Sequence, residues 1–250
     1  HHGLMRSVHP RRMAIEAPVV KRWQLEEGDE LVRGLDAVRL LGGGTSFEAY
    51  LAWDVRRHAL VVAKVVRPHL VDDAGVRAAL AREAETLASL SHPVLPRLFD
   101  SHVCGPRPLL VLELLDGPRL STVVRRYGLA LEQILPLALE LCSVLHYLAA
   151  EGWIHRDVKP SNVILASPPR LVDLSVAARF DPPPASSTPT GTDAYMAPEQ
   201  CDPMRFRELG PPTDVWGLGV TLYEALARRR PFPDGAAAAT AALRFPQLVE

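Results

Sequence analysis

Trp153-Ile154-His155-Arg156-Asp157-Val158-Lys159-Pro160-Ser161-Asn162-Val163-Ile164-Leu165 puts a carboxylate, an ammonium and an amide within six positions, directly after an apolar stretch of helical period. Asp157 can accept a hydroxyl proton or orient the hydroxyl, and Lys159 can neutralise charge on a phosphoryl group in transfer. Asn162 offers an oxygen ligand to a hard cation. Pro160 interrupts regular helix, so the three groups are expected on a loop where they can converge. Farther along, Asp173 closes the strand-like run Arg170-Leu171-Val172. Alone it reads as a turn or cap residue; beside Asn162 and a nucleotide it becomes a second ligand for Mg²⁺.

Upstream, Gly42-Gly43-Gly44 lies between two apolar runs at 38–41 and 49–53. A strand–glycine–strand turn can lay backbone N–H groups over phosphates, because no Cβ stands in the way, although most such turns are only hairpins. Lys64 interrupts the valine-rich run at 60–66. A lysine in such a strand either reaches solvent or finds a buried anion, since an unpaired buried ammonium is too costly. Glu83, on the following helical stretch, is the candidate partner.

The remaining periodicities fall into two halves. Strand-like runs at 95–99 and 109–115 flank Gly105-Pro106, and Val76, Ala79, Leu80, Ala84, Leu87 and Leu90 recur at helical spacing within 72–90. Beyond the break Asp116-Gly117-Pro118, helical patterns dominate at 120–126, 131–150 and 215–227. A mostly β unit with one helix, joined near Asp116 to a mostly α unit, is therefore expected. A further Ala-rich helix is expected at 236–243.

Composition excludes several classes. Lys plus Arg total 28 against 29 for Asp plus Glu, a formal net charge of -1, so bulk capture of nucleic acid or an anionic membrane is not expected. Cys104, Cys142 and Cys201 cannot form a closed disulfide set and lack zinc-ligand spacing, which favours a reducing compartment. No uncharged apolar run reaches the roughly 18 residues needed to cross a bilayer. The nearest, 134–150, holds Glu140 and His146 and reads as a buried helix. His1-His2-Gly3 reads as the remainder of an affinity tag.

Taken in order, these pieces resemble the eukaryotic-type (Hanks-type) protein kinase family, in its Ser/Thr branch and with a bacterial, actinobacterial-like composition. The glycine turn is followed by Ala63-Lys64, Glu83, His155-Arg156-Asp157-x-x-x-x-Asn162, Asp173, Ala197-Pro198-Glu199 and Asp214-Val215-Trp216-Gly217. The resemblance implies an α+β, bilobal fold: a small, mostly antiparallel β lobe (31–115) and a mostly α lobe (116–250), after a tag remnant and extension (1–30). It implies that Lys64 holds the α- and β-phosphates of ATP and pairs with Glu83. Asp157 is then the catalytic base or hydroxyl-orienting group, Lys159 marks the Ser/Thr branch, and Asn162 and Asp173 bind Mg²⁺. Gly42 and Gly44 cover the phosphates. Glu113 and Leu115 belong to the hinge that bonds the adenine edge, Leu112 guards the rear of the pocket, and Leu41, Ala49, Ala63 and Ile164 sandwich the ring. Arg156 would meet a phosphorylated activation segment, with autophosphorylation expected at Ser186, Ser187, Thr188 or Thr190.

Three features depart from the family pattern. Asp173-Leu174-Ser175 replaces Asp-Phe-Gly, and Phe47 stands at the third glycine position, which is expected to weaken nucleotide affinity. The chain also ends soon after Phe232-Pro233, where the family continues for several helices, one of which supplies an arginine to the carboxylate matching Glu199. A fragment, or a domain completed by a partner or by self-association, is expected. The reading is thus a cytoplasmic Ser/Thr kinase acting on proteins. The alternatives are a pseudokinase-like nucleotide-binding or docking module, and a small-molecule kinase.

Overall fold

The computed structural model describes residues 21–181, 189–206, 209–232 and 245–248. The upper lobe is one antiparallel sheet of β1 (Glu30–Val32), β2 (Leu35–Gly43), β3 (Phe47–Asp54), β4 (Ala59–Val66), β5 (Leu98–His102) and β6 (Leu109–Glu113). Its order is β1-β2-β3-β4-β6-β5. Strand alternation gives the sheet two apolar faces. Tyr50, Ala52, Val61, Ala63, Val65, Leu109 and Val111 pack on the outer face. Val66 and Leu110 pack on the inner one, against Leu80 and Ala84 of α1 (Ala74–Ser89). Asp73 caps α1 by accepting a hydrogen bond from the Val76 N–H, a contact worth about 1 kcal/mol. Trp23 and Leu25, inside the stretch set aside as tag and extension, pack against the outer cluster, so this lobe's packing begins before residue 31.

The strand expected at 95–99 is displaced to Leu98–His102. Val94 and Leu95 are drawn instead into the lower lobe's core, where burying them outweighs extending the ladder.

That core gathers α2 (Leu120–Arg126), α3 (Leu131–Ala150) and, after the four-residue helices α4 (Pro198–Cys201) and α5 (Pro203–Phe206), α6 (Pro211–Ala227). α6 begins four residues ahead of its expected start at 215 because its first turn is polar and proline-initiated, invisible to hydrophobic period. Among the described residues, α3 is long and apolar enough by length and composition to cross a membrane. It instead buries Ile134, Leu137, Leu141, Val144, Leu145 and Leu148 in this core. Two short antiparallel pairs pack on the helices of the lower lobe: β7 (Trp153–Ile154) with β10 (Ala178–Arg179), against α3 and α6, and β8 (Val163–Ile164) with β9 (Arg170–Leu171), against α2. The helix expected at 236–243 lies outside the described residues.

Candidate active site

β4 carries the upper half of the site. Its pleat sends Val61, Ala63 and Val65 to the outer core and leaves Val62 and Lys64 on the opposite face, toward the lower lobe. Lys64 Nζ lies 2.5 Å from Glu83 Oε2 of α1 and 2.8 Å from Asp173 Oδ1 of the lower lobe. The pairing of Lys64 with Glu83 is the one expected. Ala63 is corrected: fully buried among Tyr50, Val61 and Val65, it faces away from Lys64 and the lower lobe, and Val62 stands on Lys64's face instead. Ala49 stands opposite Lys64 in the register and shares its face, while Leu41 is exposed at the end of β2 beside Gly42 and Gly44. The ring of Phe47, at the third glycine position, lies 4.7 Å from Lys64 Nζ.

Electrostatics separate the two carboxylates. Burial pushes Glu83 up from its ordinary value, against the pull of Lys64 and with the help of the Asp173 charge. Burial also acts to raise Asp173, but Lys64 and the Ser175 hydroxyl, 2.8 Å from Asp173 Oδ1, hold it well below the usual carboxylate range. For Lys64, burial favours the neutral form, and the two carboxylates outweigh it and raise its pKa.

The lower half is a loop that folds back on itself. Lys159 Nζ donates to Asp157 Oδ2 at 2.6 Å and to Thr192 Oγ1 at 2.5 Å, and Thr192 Oγ1 donates to Asp157 Oδ1 at 2.7 Å. Asn162 Nδ2 donates to the Asp157 carbonyl at 3.0 Å and to Asp157 Oδ2 at 3.1 Å. Asp214, buried near the start of α6, accepts the His155 and Arg156 N–H groups at 2.7 and 2.8 Å and holds the loop from below. Gly217 permits the approach: a Cβ there would meet the Val158 carbonyl at 3.1 Å. Gly191, at φ 136°, lets the chain before Thr192 pass the Arg156 carbonyl, which a Cβ would meet at 2.9 Å. Arg156 (φ 68°) and Asp173 (φ 70°) adopt left-handed conformations that cost about 1–3 kcal/mol each and that their surroundings impose.

Asn162 and Asp173 come from separate segments that the Val172 N–H joins by a 2.8 Å hydrogen bond to the Asn162 carbonyl. With the Asn162 amide nitrogen engaged by Asp157, a cation would be met by its oxygen. Among the described residues no group of three or more His, Cys, Asp and Glu forms a protein-only metal cage. Two oxygen donors suit Mg²⁺, which keeps waters and phosphate oxygens as its other ligands.

At the hinge, the Glu113 carboxylate pairs with Arg170 of β9, with Oε1 3.2 Å from Nη2, and its N–H donates to the Arg97 carbonyl at 3.0 Å. The side chain and the N–H of Glu113 are therefore both engaged within the protein. Leu115 follows at the lobe junction, and half-buried Ile164 stands on β8. Leu174 is fully buried in the lower core, filling the apolar role of Phe in the family motif.

The activation segment's far end is anchored by Gln200, which donates to the Arg156 and Thr190 carbonyls at 2.8 and 2.9 Å. Glu199 accepts from Thr213 Oγ1 of α6 at 2.7 Å, so a hydroxyl meets the carboxylate that, by the family resemblance, pairs with an arginine from later helices. Arg156 Nε is buried without a partner among the described residues. Burial and the nearby Arg82 lower the Arg156 pKa, against the opposing pull of the Asp214 carboxylate. Ser186, Ser187 and Thr188 lie outside the described residues. Sequence reasoning missed Val62, Thr192 as a bridge, Ser175 and Asp214 as supports; for Val62 the pleat of the valine run already held the signal.

A sheet lobe and a helical lobe that meet at a lysine–carboxylate bridge, above a carboxylate–lysine–amide loop, define a bilobal phosphotransfer fold. The protein kinase domain family matches residues 35–249, and the chain belongs to that family. It is 33% identical over 204 residues to serine/threonine-protein kinase PknB of Mycolicibacterium smegmatis, covering 77% of this chain and 32% of the relative. PknB of Mycobacterium leprae is 33% identical over 203 residues, with the same coverage. PknD of Mycobacterium tuberculosis is 31% identical over 202 residues, 78% of this chain and 30% of the relative. The chain thus spans about a third of the length of the curated relatives it matches.

Proposed function

We propose that this domain transfers the γ-phosphoryl group of ATP to a Ser or Thr hydroxyl of a protein. The observation that carries the reading is Lys64 bridging Glu83 and Asp173, which joins both lobes across the place where phosphates must lie. Lys64 would neutralise phosphate oxygens while Glu83 fixes its position. Asn162 and Asp173 would hold Mg²⁺, which when bound offsets charge on the phosphates. The incoming hydroxyl would come up to Asp157, whose carboxylate Thr192 and Lys159 hold in place, and Asp157 would orient it and accept its proton. Lys159, already 2.6 Å from Asp157, would stay beside the transferring group.

The same reading places autophosphorylation in the activation segment, at Thr190 or at Ser186, Ser187 or Thr188, where a phosphate would answer the charges of Arg156 and Arg82. It also places the protein in the cytoplasm, where its co-substrate is supplied, and has it self-associate through exposed Val215 and Leu226 on α6. Transfer of labelled phosphate from ATP to a Ser/Thr substrate, compared between wild type and Asp157→Asn, tests the central claim. Wild type is expected to exceed the variant by orders of magnitude, and equal background counts would leave a nucleotide-binding or docking module instead.

A further inference from the structure

The glycine loop faces a physical difficulty that the catalytic groups do not. Gly42 and Gly43 are paired with Ala49 and Glu48, and the Gly44 N–H donates to the Phe47 carbonyl at 3.0 Å. Glycine backbone nevertheless resists rearrangement weakly, and a loop that must hold its N–H groups toward phosphates needs further support. Arg67, at the end of β4, touches the loop on both sides of Thr45. Its N–H donates to the Ser46 carbonyl at 2.9 Å, and its Nε donates to the Gly44 carbonyl at 2.8 Å. The guanidinium is fixed in turn: Nη1 lies 3.1 Å from Glu48 Oε1 and 2.9 Å from the Lys21 carbonyl.

Glu48 is 1% exposed and is the centre of this network. Its Oε2 accepts from the Tyr50 hydroxyl at 3.0 Å and from the Trp23 N–H at 3.3 Å. Trp23 is pinned as well, its Nε1 donating to the Val66 carbonyl at 2.8 Å and its ring lying under the Arg107 guanidinium. A buried carboxylate with this many donors, one of them a fork that also grips the loop, is an orienting element and costs too much to be incidental.

We infer that Arg67 is a positioning residue for the glycine loop, and that residues 21–23 act as a strap holding Arg67 and Glu48 in place, so that the loop is preorganised for the phosphates of the nucleotide. The inference rests on the nucleotide-binding reading above, and it goes beyond the residues that would touch ATP.

Adenosine lacks phosphates, and this separates loop positioning from general loss of fold. Calorimetric or competition titrations of Arg67→Met are expected to weaken ATP binding by about tenfold, the factor one lost charge-assisted hydrogen bond supports. Adenosine binding should not change. Arg67→Lys should restore only part of the ATP affinity, because an ammonium cannot reproduce the fork. Trp23→Ala, which loosens the strap without uncovering Glu48's charge, should shift ATP affinity in the same direction by less. If Arg67→Met fails to fold, the double variant Arg67→Met/Glu48→Gln removes the stranded carboxylate and carries the same expectation. Unchanged ATP affinity, or ATP and adenosine weakening in parallel, would overturn the clamp. Wild type that takes up adenosine but gains nothing from the phosphates would overturn the parent reading and the clamp together.

Discussion

Two lysine–carboxylate contacts sit a short way apart in this molecule and are built in opposite ways. Lys159 meets Asp157 two residues away, inside one loop, with Thr192 closing the triangle. Lys64 meets Glu83 on the next helix and Asp173 in the other lobe, across 19 and 109 residues of chain. The first contact organises a reacting group and holds little of the fold together. The second does both, because it joins elements that are otherwise separate, and because Glu83 is nearly fully buried and depends on its partner. A short-range pair can therefore be removed with the fold intact, whereas a long-range buried pair cannot.

The largest expected effect breaks the local contact. Asp157→Asn should lower phosphotransfer by about 10³-fold, within the range for a lost general base, while the thermal midpoint hardly moves and calorimetry finds ATP binding preserved. Breaking the long-range contact should reverse that signature. Lys64→Met strands Glu83 and should cost about 3 kcal/mol of unfolding free energy in a urea titration, along with ATP affinity. Should the two variants prove equally stable, the two contacts do not differ in what they hold together. Thr192→Val removes the hydroxyl bridging Asp157 and Lys159 and should lower kcat by about tenfold, with Thr192→Ser restoring it. The smallest effect is one of pH. Glu83 is raised and Asp173 lowered, so on acidification Glu83 takes up a proton first and Lys64 keeps only Asp173. ATP affinity should begin to fall above the ordinary glutamate range, and that limb should vanish in Glu83→Gln. Stability follows the opposite assignment. Asp173's contribution is present above its ordinary 3.8 and is lost as pH falls through its depressed folded value, so acid unfolding should be blunted in Asp173→Asn and not in Glu83→Gln.

The same contrast explains how much could be read in advance. The helices at 120–126 and 131–150 appear where hydrophobic period puts them, as Leu120–Arg126 and Leu131–Ala150. A helix declares its buried face within its own residues. The strand expected at 95–99 moved because Val94 and Leu95 obey a lobe that lies later in the chain. In the site, the loop from Asp157 to Asn162 was legible because its groups converge within one turn of chain. Ala63 was misplaced by one residue through a family motif, although the two-residue pleat of β4 already assigned Lys64's face to Val62.

From sequence alone came the family, the two lobes, the pairing of Lys64 with Glu83, and the residues of the lower loop, because each rests on residue type and near-neighbour spacing. Only the folded chain decided that Lys64 also meets Asp173, that Asp214 holds the loop, that Thr213 occupies Glu199, and that Glu48, Arg67 and Trp23 tie the glycine loop to the chain before it. Those contacts join residues far apart in the chain, and their energies come from burial and exact distance, neither of which a linear pattern carries.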